Sequence, residues 1–190
     1  MSRGVPVWIG VGGNLGEART VVQCAIGTVA ARAFLRLEAW SPWYRTEPVG
    51  GPAGQGWYVN GVLFGHTFLE PEPLLDRLQE VERLFGRDRR REVRWGSRPL
   101  DLDLLLHGRC RLRSSRLTLP HPRLHLRRFV LQPLADLHPH LNLPGLERTV
   151  DSLLRDVDDP SQVERLCASD AAMTGTSGSD GTNRRRFPTR

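Results

Sequence analysis

The sequence predicts an α+β fold, and three observations support that prediction. Two segments carry apolar residues at helical spacing: Val22, Ile26, Val29 and Ala33 in the first, and Leu74, Leu78, Val81 and Phe85 in the second. Around them lie runs that read as extended, at Val5–Val11, Leu35–Thr46, Trp57–Thr67 and Leu100–Leu106. Turn formers separate the pieces, among them Gly12-Gly13-Asn14-Leu15-Gly16 and a Pro48–Gly56 loop rich in proline and glycine. The resulting β-α-β-β-α-β order is the ferredoxin-like pattern.

Taken in chain order, Val5–Val11 reads as a buried first strand, and Glu17 to Ala33 as the first helix. Leu35–Thr46 alternates and is rich in aromatics, as a strand facing both core and solvent should be. Trp57–Thr67 follows as a further strand. The second helix, Pro71–Phe85, has prolines in its first turn and Gly86 just past its end, the asymmetry helix termini favour. Arg87–Gly96 is a charged loop, and Leu100–Leu106 a strand. Leu112–Arg128 reads as irregular, with short helices at Phe129–Leu137 and Thr149–Arg155. From Ala168 the composition turns to Ser, Thr, Gly, Asp and Arg, so one domain is expected over 1–167 and a disordered extension over 168–190.

A chain of 190 residues suits one core. No apolar run approaches the ~18–20 residues of a membrane helix, and the N-terminus does not read as a signal peptide. Cys24, Cys110 and Cys167 are scattered and odd in number, which reads as reduced thiols in a cytoplasmic protein. The formal charge of +6 suggests anionic partners. All basic residues are arginine, which excludes a P-loop, a protein-kinase lysine and a Schiff-base lysine.

The sharpest chemical signal is Arg98-Pro99-Leu100-Asp101-Leu102-Asp103-Leu104. On a strand, Asp101 and Asp103 share one face, and Leu100, Leu102 and Leu104 share the other. Residues two apart lie roughly 6.5–7 Å from each other. Carboxylates at that reach can hold two metal ions about 4 Å apart, as two-metal phosphoryl chemistry needs, and hard oxygen ligands favour Mg²⁺. An isolated Asp-x-Asp is more often a solvated strand face. Here a dense arginine loop (Arg87, Arg89, Arg90, Arg91, Arg94) and Trp95 precede it, and guanidinium groups bind phosphate oxygens in paired hydrogen bonds.

A second constellation joins Arg45-Thr46-Glu47-Pro48-Val49-Gly50 to Tyr58-Val59-Asn60. Asn is disfavoured inside strands, and the Asn60 amide offers donors and an acceptor suited to a heterocycle edge. Gln79 and Glu82 lie three apart on the second helix, off the apolar stripe, and read as a solvated face or a nucleotide contact. The glycines of Gly10–Gly16 miss the dinucleotide fingerprint, because Leu15 stands where its last glycine belongs. His121 and His125 are separated by Pro122, which breaks the helix a zinc pair would need. A ferredoxin-like RNA-binding module is one rival reading, but no RNP1 pattern is present. A binding or regulatory protein without catalytic activity is the other.

Four ordered motifs resemble the 6-hydroxymethyl-7,8-dihydropterin pyrophosphokinase family: Ile9–Gly16; Tyr44–Gly50 with Tyr58–Asn60; Arg94–Asp103; and Leu119–Pro122 with Arg127–Leu131. The resemblance spans Val5 to Leu154. It implies a ferredoxin-like fold, ATP as co-substrate, two Mg²⁺ ions, and attack of the pterin hydroxymethyl oxygen on the β-phosphorus with release of AMP. By this likeness Asp101 and Asp103 bind both metals. Thr46, Pro48, Val49, Tyr58 and Asn60 line the pterin pocket, and Trp95 and Phe129 sandwich the ring. Gln79, Glu82, Arg98, His121 and Arg127 hold ATP, with Arg116 and Thr118 as further contacts. Arg87 and Arg89 belong to a mobile loop that closes over the phosphates. The expected partners are these small molecules, with no nucleic acid and no membrane, and the expected state is a monomer. Two departures stand out. Gly13 occupies a place where Ser is common, expected to matter little in a turn. Ser97 replaces the usual Pro, which is expected to loosen the chain.

Overall fold

The computed structural model describes residues 4–90, 93 and 95–167. The extension expected at 168–190, and Arg91 and Arg94 of the arginine loop, lie outside them. The elements are β1 (Val5–Gly13), α1 (Ala18–Ala30), β2 (Arg36–Trp40), β3 (Tyr44–Thr46), β4 (Tyr58–Thr67), α2 (Pro71–Leu84), β5 (Asp101–His107), β6 (Leu112–Arg113), β7 (Thr118–Leu119), a 3₁₀ turn (Leu124–Leu126), α3 (Arg128–Leu137), α4 (Val150–Asp156) and β8 (Val163–Arg165).

The sheet runs β5-β1-β4-β3-β8, with β2 also paired to β4. Every pairing in it is antiparallel. With β2 and β3 counted as one broken strand, this is the ferredoxin-like order, with the fourth strand beside the first and the first beside the third. The break falls at Ser41-Pro42-Trp43, inside the stretch expected to be continuous. Pro42 has no N–H for the ladder. The buried Ser41 hydroxyl accepts from Val62 N at 3.0 Å, taking the place of a backbone acceptor. The extra edge strand β8 was not legible in the sequence; it pairs with β3 at Tyr44↔Arg165 and Thr46↔Val163.

Helices pack on both faces. Val22 and Val29 of α1 and Leu74 and Leu78 of α2 join Val7, Ile9, Leu102 and Leu104 in one cluster. Leu131 and Leu134 of α3 and Val150 of α4 join Trp8, Val62 and Leu105 in the other. Each fully buried leucine of this kind contributes about 1.5–3 kcal/mol. The alternation at the start of β5 therefore sorts its residues as expected: Leu102 and Leu104 enter the α1/α2 core, and Asp101 and Asp103 face the opposite side. That face is only partly covered by α3, and the uncovered part is where the site forms.

Candidate active site

Across the open face, neighbouring strands bring Asp101, Gly12, Asn60 and Tyr44 into one row. One strand step away, Asp103 is opposite Gly10. The glycines of β1 thus leave a floor without side chains between the aspartates and Asn60. A Cβ on Gly12 would overlap the Asn60 amide, so any other residue there would push that amide out of place. Asn60 Nδ2 donates to Thr46 Oγ1 at 2.6 Å, which orients its amide. A cavity of about 270 Å³ stands over this floor.

The acidic corner is built on a buried carboxylate. Glu82 is 1% exposed; its Oε1 accepts from Arg87 Nη1 at 2.6 Å and from Leu102 N at 2.8 Å, and its Oε2 from Arg89 Nη2 at 2.7 Å. Because β5 ends the sheet, Leu102 N has no strand partner, and Glu82 satisfies it. Burial nevertheless pushes the Glu82 carboxyl above its ordinary range, against the pull of Arg87. Arg87, 5% exposed, bridges Glu82 to Asp101 Oδ1, and Arg98 Nη1 donates to Asp101 Oδ2 at 2.9 Å. Among the described residues Asp103 has no such partner. Burial, reinforced by the charges of Asp101 and Glu82, pushes it up to about 7.

These positions correct two expectations. Glu82 is not on a solvated face: it is four residues from Leu78 and eight from Leu74, on the buried stripe. Arg87 does not reach out from a loop, because its guanidinium lies beneath Asp101 between two carboxylates. Arg89 is half exposed and keeps its side chain on the cavity rim.

Three loops wall the cavity, and polar side chains stitch them together. Asn14 donates from Nδ2 to Gly56 O at 3.0 Å and to Ser97 Oγ at 3.1 Å, and its Oδ1 accepts from Arg98 N at 2.9 Å. Gln55 Nε2 donates to Trp95 O at 3.0 Å, and the Tyr58 hydroxyl donates to Gly96 O at 3.0 Å. Ser97 therefore ties the chain down through its hydroxyl instead of loosening it. Gly13 also matters more than expected, because the Pro99 carbonyl occupies the place a Cβ would take.

The far wall is aromatic and basic. The Arg127 guanidinium carbon lies 5.3 Å from the Phe129 ring centroid, and that of Arg123 lies 5.3 Å from the Trp95 centroid. His121 is pushed down to about 4, first by burial and then by the charges of Arg127 and Arg123, so it is neutral at pH 7. Its Nδ1 accepts from Arg123 N at 3.3 Å, which leaves the proton on Nε2.

The cavity brings together Thr46, Pro48, Val49, Tyr58, Asn60, Arg87, Arg89, Trp95, Arg98, Asp101, Asp103, His121, Arg127 and Phe129. Four expected nucleotide contacts do not line it. Gln79 sits on α2, Glu82 is buried, and Thr118 borders a neighbouring groove. Arg116 pairs with Asp76 of α2, and its Nη1 is 3.9 Å from Glu72 Oε2. Arg123 lines the cavity and was missed: among so many arginines, no spacing singles it out. Among the described residues no group of three or more His, Cys, Asp or Glu is placed to hold a metal.

Fold and site together describe an α+β enzyme that handles anionic phosphate beside a carboxylate pair. A profile of the 7,8-dihydro-6-hydroxymethylpterin-pyrophosphokinase family matches residues 8–139. A 2-amino-4-hydroxy-6-hydroxymethyldihydropteridine pyrophosphokinase from Pseudomonas aeruginosa is 46% identical over 138 residues, 73% of this chain and 83% of its own length. One from Haemophilus influenzae is 35% identical over 160 residues, 84% of this chain and 98% of its own. The solved Plasmodium falciparum HPPK-DHPS with pteroate superposes with a TM-score of 0.64 over 80% of this chain and 42% of that one. At 12% identity that likeness speaks for the fold. The chain belongs to the 7,8-dihydro-6-hydroxymethylpterin-pyrophosphokinase family.

Proposed function

We propose that this cavity performs the reaction for which its family is named, transferring the pyrophosphoryl group of ATP to 6-hydroxymethyl-7,8-dihydropterin in folate biosynthesis. The observation that carries the assignment is the meeting, over one glycine floor, of a carboxylate pair ringed by arginines and an oriented Asn60 amide between aromatic walls. The first suits a metal-bound triphosphate and the second a flat heterocycle.

The pterin lies between Trp95 and Phe129, with its edge on Asn60 and with Thr46, Pro48, Val49 and Tyr58 around it. Thr46 fixes the Asn60 amide, so recognition of the ring edge is preorganised. Asp101 and Asp103 would hold two Mg²⁺ ions: Asp103 is half-buried beside like charges, a situation a divalent cation relieves. Bound there, the ions would neutralise phosphate charge and align the phosphoryl oxygens.

The hydroxymethyl oxygen attacks the β-phosphorus, forming a new O–P bond. The bond from that phosphorus to the bridging α–β oxygen breaks, AMP leaves with that oxygen, and the hydroxyl proton passes to solvent. Arg89, Arg98 and Arg127 neutralise charge on the phosphate chain. Arg87 acts one layer below, holding Asp101 in place from the Glu82 side. Neutral His121 offers Nε2–H as a hydrogen-bond donor rather than as a charge. Gln79 on α2, with Arg116 and Thr118 at the β6–β7 hairpin, would contact the nucleoside end of ATP. The protein acts as a monomer on small molecules. Positioning and charge neutralisation, without a covalent intermediate, suffice for such a transfer.

The test is AMP release from ATP and Mg²⁺ with and without the dihydropterin. Pterin-dependent AMP that disappears in Asp103→Ala, with the fold retained by circular dichroism, is expected. Equal AMP release without pterin would contradict the assignment.

A further inference from the structure

Arg123 lines the cavity, yet the reaction as described gives it no task. It opens the 3₁₀ turn after Pro122, and its backbone N–H is fixed on His121 Nδ1 at 3.3 Å. Its guanidinium carbon lies 5.3 Å from the Trp95 ring centroid, within the range of a cation–π contact. Among the described residues it forms no ion pair with a carboxylate within 4.0 Å.

Trp95 reaches the same point from the opposite rim. Its backbone is left-handed, at φ 59°, a conformation a non-glycine residue keeps only when its surroundings impose it. Gln55 Nε2 holds its carbonyl at 3.0 Å, and the Tyr58 hydroxyl holds the next carbonyl, Gly96 O, at 3.0 Å. Gly50 admits the indole closely, since a Cβ there would lie 3.1 Å from its Cε3. These contacts fix the backbone and one side of the ring. Trp95 is 40% exposed, and Arg123 faces its indole from the segment that also carries Arg127.

We propose that Arg123 is a positioning residue for the pterin: it holds the Trp95 indole across the mouth of the cavity and so sets one of the two stacking walls. The proposal rests on the reading of the cavity given above. Arg127 stands toward Phe129, the other wall, at the same 5.3 Å, so one short segment steadies both aromatic walls. A ring held before the substrate arrives loses less freedom on binding, which lowers the concentration of pterin needed.

The experiment compares Arg123→Met, Arg123→Lys, Trp95→Ala and the Arg123→Met/Trp95→Ala double variant in steady-state assays with each substrate varied. Arg123→Met is expected to raise the KM for the pterin about two- to fivefold, the size of one cation–π contact, and to leave the KM for ATP unchanged. Arg123→Lys is expected to recover part of the loss. In the Trp95→Ala background, Arg123→Met should have no further effect on the pterin. A rise in the KM for ATP instead would make Arg123 a phosphate ligand and overturn the proposal. The same pterin penalty with and without Trp95, or a lowered melting temperature with unchanged kinetics, would also overturn it. If the parent enzyme makes no pterin-dependent AMP, the reading of the cavity fails. Binding of fluorescent oxidised 6-hydroxymethylpterin then still measures the Arg123–Trp95 coupling.

Discussion

Asp103 should make the metal-free protein less stable at neutral pH, and replacing it with Asn should stabilise that form while abolishing turnover. Its pKa stands at about 7 in the fold against an ordinary 3.8, raised first by burial and then by the charges of Asp101 and Glu82. A raised carboxyl binds its proton more tightly folded than unfolded. Its stabilising contribution is therefore complete below about pH 3.8 and is lost as pH rises through 7. The gap of roughly three pH units corresponds to at most about 4 kcal/mol by pH 8. Because the carboxyl opens onto a wet cavity, about half of that is a reasonable expectation. For a chain of this size, about 2 kcal/mol is a rise of roughly 4–8 °C in melting temperature. The assay is thermal unfolding of parent and Asp103→Asn in chelator from pH 5 to pH 8, repeated with Mg²⁺. The variant's advantage should grow with pH, and Mg²⁺ should stabilise the parent more than the variant. A variant no more stable than the parent at pH 8, or one stabilised equally by Mg²⁺, would refute the reasoning.

Three further outcomes follow from the geometry. Glu82→Gln removes the buried charge shared by Arg87 and Arg89 while Asp101 still pairs with Arg87, and should cost about 1–3 kcal/mol, measured by denaturant unfolding; an unchanged stability would show that the neutral amide replaces the carboxylate. His121, pushed down to about 4 by burial and neighbouring arginines, must take up a proton on unfolding in acid. Its contribution is lost as pH falls from about 6.5 toward 4, and His121→Gln should flatten the stability difference across that window. Gly13→Ser forces a side chain into the place of the Pro99 carbonyl, so it should cost about 1–3 kcal/mol and shift the Arg98-Pro99 backbone that leads into Asp101. An unchanged melting temperature and rate would show that this carbonyl yields freely.

Much of the site was legible because strand periodicity is rigid: once Leu102 and Leu104 enter the core, Asp101 and Asp103 must face away together. Asn60 was legible as a polar side chain inside a largely apolar strand. What the sequence hid depended on tertiary partners. Glu82 lies on the apolar stripe by its spacing from Leu74 and Leu78, but a carboxylate there reads as solvated unless Arg87, Arg89 and the unpaired Leu102 N–H are known to meet it. Ser97 and Gly13 looked like minor departures because their partners, Asn14 and the Pro99 carbonyl, come from segments more than 80 residues away. β8 is three residues with no pattern, and only the free edge of β3 gives it a place.

The central claim is that two phosphoryl groups move together to the pterin. Incubation with ATP labelled separately at the β- and γ-phosphorus tests it most directly. Both labels should appear in the pterin product in equal amount, with one AMP per transfer. A product carrying only the γ-label, with ADP released, would contradict the account.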